Sequence, residues 1–268
     1  MNITILGPLE AEANGRSIVP TAGKPRQILA LLALNANQVM PVPTLMEELW
    51  GEELPRSALT TLQTYILQLR RRLTSAHRPA KDVLATRHGG YSLQISPESV
   101  DVFRIERLER QARAAYAAGD LVACAGLLHQ ALRCWRGQAL VDVPAGPLLE
   151  IEARRLAEVR LGLLELRIEA ELCLGREAQL LTELTGLTAR HGLHEGLHAQ
   201  AMIAHYRCGR QARALEIFHG LRRRLVDELG IEPSTRVQRL HHAILCGDPE
   251  LESPLSSTVI GGSLVAWD

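Results

Sequence analysis

The stretch TLQTYILQLRRRL, residues 61–73, decides how this chain is read. Leu62, Ile66, Leu69 and Leu73 recur at helical spacing, and Leu59 extends the series backwards, so the segment is a helix with one apolar stripe. At 3.6 residues per turn, Thr60, Thr64, Leu67, Gln68 and Arg71 point the other way. That side carries hydroxyls, amides and part of a run of three arginines, with no acidic residue. An ordinary solvated helix face mixes both signs of charge. A plain exposed face is the simple reading, and the flanking sequence argues against it.

Upstream, PRQILALLALN (25–35) has the density of apolar residues of a buried helix, which Thr21 is placed to cap and Asn35 to Asn37 to end. A short second helix, TLMEELWG (44–51), opens at Pro43-Thr44, buries Leu45, Leu49 and Trp50, and stops at Gly51. The loop GEELPRS (51–57) leads to Ser57, a suitable cap for the third helix. Downstream of the polar stretch TSAHRPAKD (74–82), two β-like runs at 83–87 and 91–95 are joined by Gly89-Gly90 into a hairpin. The first 20 residues read as short strands, with Asn14-Gly15 as a turn. Strands, three helices and a hairpin make a winged helix over residues 1–97. Its third helix is the element expected in a DNA major groove, and its hairpin is the wing.

This context assigns candidate DNA contacts. Thr60, Thr61, Thr64 and Gln68 can hydrogen-bond base edges, while Arg70, Arg71 and Arg72 suit phosphates. Arg87 at the wing tip suits a minor groove. Lys24 and Arg26 begin the first helix, where backbone N–H groups also favour phosphate.

From about residue 98 the pattern is helical. ARAAYAAGDLVACAGLLHQAL (112–132), RIEAELCLGREAQLLTELTGL (167–187) and AMIAHYRCGRQARALEIFHGL (201–221) each place a helix, a turn glycine and a second helix. Leu128, Leu184 and Phe218 lie nine residues after Gly119, Gly175 and Gly209. The last two glycines are 34 residues apart, the tetratricopeptide period, whereas the first two are 56 apart. The loop GQALVDVPAGP (137–147) and a longer helix after it account for the difference. The fold class is therefore mainly α with small β: a winged helix-turn-helix over 1–97, an all-α TPR-like helical-repeat domain over 98–246, and a flexible tail over 247–268.

Charge follows the same division. Residues 1–97 hold 10 Lys+Arg against 7 Asp+Glu, and residues 98–268 hold 20 against 23, so a net of zero is split between a basic front and an acidic rear. No run of about 18 apolar residues spans a membrane, and the N-terminus does not read as a signal peptide. Five scattered cysteines form no CxxC pair and read as reduced thiols. His191, His194 and His198 share a helical spacing, but Gly192 and Gly196 interrupt it, so a structural role is expected rather than a metal face. There is no GxxxxGK[ST], GxSxG, GxGxxG or HExxH, so neither enzyme nor cofactor is expected.

The residues resemble the SARP family, antibiotic regulatory proteins of actinobacteria that join an OmpR-type winged helix to a bacterial transcriptional activation domain (BTAD). The resemblance covers roughly residues 1–246. In the front half it rests on LGPLE (6–10), KPRQILALLALNANQVMPVPTLMEELWG (24–51), PRSALTTLQTYILQLRRRL (55–73) and HGGYSL (88–93). In the rear half it rests on FRIERLERQAR (103–113), ALRCWRGQAL (131–140) and RRRLVDELGIEPSTRVQRLHHAIL (222–245). It implies a cytoplasmic, nucleoid-associated activator that binds direct repeats in double-stranded DNA near promoters of biosynthetic clusters. Two protomers would sit side by side on the DNA. RNA polymerase holoenzyme would be recruited partly through the loop around Trp50, Glu52, Glu53 and Arg56. The alternative is a helical-repeat scaffold or ligand sensor whose winged helix contacts protein.

Overall fold

The computed structural model describes residues 1–73 and 79–252. The chain opens with a three-stranded antiparallel sheet of β1 (Asn2–Thr4), β2 (Glu10–Ala13) and β3 (Arg16–Ser17). Asn14 and Gly15 both have positive φ, 51° and 74°, as the tight turn between β2 and β3 requires. Three helices follow: α1 (Gly23–Leu34), α2 (Val42–Trp50) and α3 (Ala58–Leu73), with β4 (Met40–Pro41) between the first two. The wing is β5 (Leu84–Arg87) and β6 (Gly90–Leu93), preceded by α4 (Ala80–Val83), a single turn of helix that the sequence did not announce. Strand β6 is central in the second sheet, between β4 and β5.

Several sequence expectations change here. Thr21 does not cap α1; Ala22 holds that position and offers no side-chain bond. Leu59 is not in the buried stripe but 49% exposed: Ala58 and Leu59 flank the centre of that stripe by about 50° on either side, and it is Ala58 that the core buries. The wing turn is His88-Gly89 rather than Gly89-Gly90. Gly90 already pairs with Arg87 in the ladder, and a Cβ there would run into the Met40 carbonyl oxygen, so only glycine lets β4 and β6 approach. The polar stretch from residue 74 falls, up to residue 78, outside the described residues.

The rest of the described chain is helical: α5 (Asp101–Ala117), α6 (Leu121–Leu132), α7 (Pro147–Cys173), α8 (Glu177–Arg190), α9 (Glu195–Arg207), α10 (Gln211–Leu229) and α11 (Thr235–Cys246). By compactness the chain forms two units, one of residues 1–110 and 129–162, the other of residues 111–128 and 163 onward.

The first unit contains more than the winged helix. Asp101, at the start of α5, is buried and its carboxylate accepts from the backbone N–H of Ile5 (3.0 and 2.8 Å) and of Leu6 (3.0 Å). Burial pushes that carboxyl above the usual range, against the pull of the Leu6 and Ile5 amides. The loop after α6 completes the tie: Arg136 N–H donates to the Leu6 carbonyl and Leu140 N–H to that of Ile5. Asp142 accepts from Leu9 N–H (2.7 Å). On the far side of the loop, Glu48 of α2 is 2% exposed and accepts from the N–H groups of Gly146 (2.7 Å), Leu148 (2.8 Å) and Leu149 (3.3 Å). A carboxylate from α2 thus satisfies the first N–H groups of α7, where the helix dipole also favours negative charge.

The second unit repeats one device. After Gly119, Gly175 and Gly209, all at positive φ, the N–H of the next residue bonds the carbonyl six residues back numbered inclusively (Asp120 to Ala115, Arg176 to Glu171, Arg210 to His205). This is the Schellman closure, and glycine is what tolerates its left-handed residue. Leu128, Leu184 and Phe218 are all buried, as their shared offset predicts. Helices α8, α9, α10 and α11 pack in sequence order. The tail expected from residue 247 begins with ordered contacts instead. Leu251 is buried in a 3-10 turn at Pro249–Leu251, and Arg207 Nε donates to its carbonyl at 2.7 Å. Residues 253–268 lie outside the described residues.

Candidate nucleic-acid interface

Helix α3 holds its two surfaces apart by periodicity. Ala58, Leu62, Ile66, Leu69 and Leu73 are buried. Diametrically opposite, Thr60, Thr64, Leu67 and Arg71 fall within about 60° of one another around the axis, and all four are exposed. Gln63 and Gln68 flank this line, also exposed. Gln63 escaped the sequence reading, although the same 3.6 period places it there. Thr61 is half-buried at the edge, with its hydroxyl 3.5 Å from that of Ser57. The Thr64 hydroxyl donates back to the Thr60 carbonyl at 2.9 Å, so towards solvent it presents lone pairs and a methyl group.

The three arginines of the run differ. Arg70 lies on the flank towards the wing, where Nε and Nη2 donate to the Leu84 carbonyl (2.9 and 2.8 Å) and Nη2 to Thr86 Oγ1 (2.8 Å). It fixes the wing against the helix. Arg72, on the other flank, donates to the Val19 carbonyl at 3.2 Å. Arg71 alone of the three stands on the outer line.

The other candidates separate in the same way. Arg87 is exposed beside the wing turn. Lys24 stands with its ammonium 4.6 Å from the centroid of the Trp50 ring, a cation–π contact, and Trp50 is half-buried beneath it. Arg26 makes an ion pair with Asp142 at 2.8 Å and donates to the Asp142 carbonyl at 3.0 Å, so its guanidinium turns towards the loop after α6. Between α2 and α3, Glu52, Glu53, Leu54 and Arg56 are all exposed, and Leu54 at 52% is an apolar side chain held out in water.

Of the histidines flagged by spacing, His191 ends α8, its N–H donating to the Leu187 carbonyl, and the other two serve α9. His194 Nδ1 accepts from Leu197 N–H at 3.3 Å as the N-cap, and His198 is buried with Nδ1 3.0 Å from the His194 carbonyl.

A winged helix with an acid-free outer face, followed by glycine-punctuated helical hairpins, defines a DNA-binding transcriptional regulator. Comparison with known proteins gives the family. Residues 15–93 match the family described as transcriptional regulatory protein, C terminal, and residues 100–245 match the bacterial transcriptional activator domain. Regulatory protein DnrI of Streptomyces peucetius is 54% identical over 94% of this chain and 94% of its own length. Transcriptional regulator RedD of Streptomyces coelicolor is 37% identical over 95% of this chain and 73% of its own. Regulatory protein AfsR of the same species is 38% identical over 95% of this chain but only 25% of its own length. Among solved structures, Mycobacterium tuberculosis EmbR in complex with a low-affinity phosphopeptide superposes with a TM-score of 0.90 at 32% identity, covering 96% of this chain and 68% of that one. The chain belongs to the SARP family of transcriptional activators, with an OmpR-type winged helix and a BTAD. It is a regulator and not an enzyme. Among the described residues, no helix is long and apolar enough to cross a membrane.

Proposed function

We propose that this activator binds direct repeats near the promoter of a secondary-metabolite gene cluster, with two protomers side by side, and recruits RNA polymerase holoenzyme there. The observation that carries the reading is the outer line of α3: Thr60, Thr64 and Arg71, flanked by Gln68, are exposed and have no acidic neighbour on the helix. In this reading those residues meet base edges, with Arg71 within reach of guanine or phosphate, and Arg87 enters the adjacent minor groove. Arg70, Arg72 and Lys24 support the reading face and lend positive potential to it. The exposed loop carrying Glu52, Glu53, Leu54 and Arg56 is the surface offered to polymerase, on Trp50 as its anchor. Its apolar and acidic side chains suit a protein partner better than DNA. The site of action is the nucleoid.

The test is a mobility shift with the full chain on duplexes from its neighbouring promoters. Thr64→Ala combined with Arg71→Ala is expected to abolish sequence preference while leaving weak, salt-sensitive binding. Retained preference would remove α3 from the reading role. Binding that persists at high salt and ignores competitor DNA would favour a protein-contact role for the winged helix.

A further inference from the structure

Leu67 is out of place on a polar surface. It stands 49% exposed in the outer line of α3, between Thr64 one turn before it and Arg71 one turn after it, with Gln63 and Gln68 to either side. The helix does not need it there, because the buried stripe is complete with Ala58, Leu62, Ile66, Leu69 and Leu73. An isolated exposed leucine is ordinary on a protein surface. This one is ringed by groups that hydrogen-bond base edges, on a helix without an acidic residue. The Thr64 hydroxyl, already donating to Thr60, adds its methyl to the same spot. Together they form a small apolar island in a polar, cationic line.

In the DNA major groove a single apolar group is on offer, the 5-methyl of thymine. We infer that Leu67 reads a thymine by packing on that methyl, with the Thr64 methyl beside it. The inference rests on the DNA-reading role proposed above and adds a base to it. Cytosine, with its hydrophilic amino group and no methyl, would strand Leu67 against a polar edge. The discrimination is by shape and desolvation, and it complements the hydrogen bonds that Gln68 and Arg71 give to neighbouring bases.

The experiment uses the full chain and duplexes that it selects from a randomised library. Each thymine of the selected duplex is then replaced singly by deoxyuridine, which deletes the methyl and nothing else. At one thymine the replacement is expected to weaken binding about fourfold, the worth of burying one methyl-sized group. Leu67→Ala should weaken binding to the parent duplex by a similar factor and show no further loss on that deoxyuridine duplex. Alanine is the better helix former and the site is exposed, so the fold is retained. Salt dependence should be unchanged, because no phosphate contact is lost. If Leu67→Ala and every deoxyuridine replacement act independently, or if Leu67→Ala selects the same thymines with equal strength, the inference is overturned while the DNA-reading role stands. If the unaltered chain enriches no duplex at all, the DNA-reading role falls and the thymine contact with it.

Discussion

The outer line of α3 and the loop after α6 use the same residue types in opposite ways. Around the loop, charged groups are spent on protein: Glu48 on the start of α7, Asp101 on Ile5 and Leu6, Arg26 on Asp142. Arg136 there donates to the Pro8 carbonyl and the Thr4 hydroxyl (2.8 and 2.6 Å) and pairs with Glu10 at 2.6 Å. On α3, Thr60, Gln68 and Arg71 are held out to solvent. A polar group fully satisfied by its own fold has little left to give a partner, and an exposed one retains its capacity. The contrast explains why a run of three arginines is not a single site. Arg70 fixes the wing, Arg72 reaches Val19, and Arg71 faces outward.

The contrast can be broken at its strongest point. Glu48→Ala leaves several N–H groups of the α7 start without an acceptor in a buried setting, and is expected to cost about 3 kcal/mol in denaturant unfolding. Glu48→Gln, which retains one carbonyl acceptor, should cost less. A negligible effect of Glu48→Ala would mean that this tie contributes nothing to the first unit.

Arg70→Ala and Arg71→Ala sharpen the comparison within one helix. Arg70→Ala is expected to lose about 2 kcal/mol of stability, since it frees the Leu84 carbonyl and loosens the wing. Arg71→Ala should change stability by less than about 0.5 kcal/mol, yet weaken specific DNA binding roughly tenfold. Equal stability losses would erase the distinction between them.

The second unit contributes a pH dependence. Burial holds His198, His205 and His241 below the ordinary histidine value of 6.5, so the folded state resists protonation. The unfolded chain then binds more protons than the folded one below that value. Stability is full above about pH 6.5 and is lost as pH falls below it. Thermal melting should drop between pH 7 and pH 5, and His198→Gln should flatten the drop.

The smallest expected effect is on salt dependence. Arg26→Ala should leave the slope of log affinity against log salt unchanged, whereas Arg71→Ala lowers it by up to about 0.9 if Arg71 meets phosphate rather than a base. A reduced slope for Arg26→Ala would show that its pair with Asp142 opens on DNA.

Much of the candidate site was legible because α3 obeys its period. Leu62, Ile66, Leu69 and Leu73 of its buried stripe, the outer line and the turn glycines of the rear half follow from 3.6-residue spacing and from φ > 0 at glycine. Leu59 was misplaced because Ala58 and Leu59 flank the stripe equally, so the period does not choose between them and hydrophobicity alone favours the leucine. The wing was found, but not its turn, since either Gly89 or Gly90 could have supplied the positive φ. Close approach to Met40 assigned Gly90 to the strand. Lys24 and Arg26 were grouped by nearness to a helix start, and no local pattern discloses that one meets Trp50 and the other Asp142.

The sequence by itself determined the class of fold, the family, and which face of the third helix carries hydroxyls, amides and arginine. Those are properties of local periodicity and residue type, which act within a few residues. Tertiary structure alone decided which charges are already committed. Glu48 and Gly146, or Arg26 and Asp142, are about a hundred residues apart in sequence, and only packing brings them within hydrogen-bond reach. It also left Leu67 uncovered in the middle of the outer line of α3, because the core against which α3 packs was complete without it.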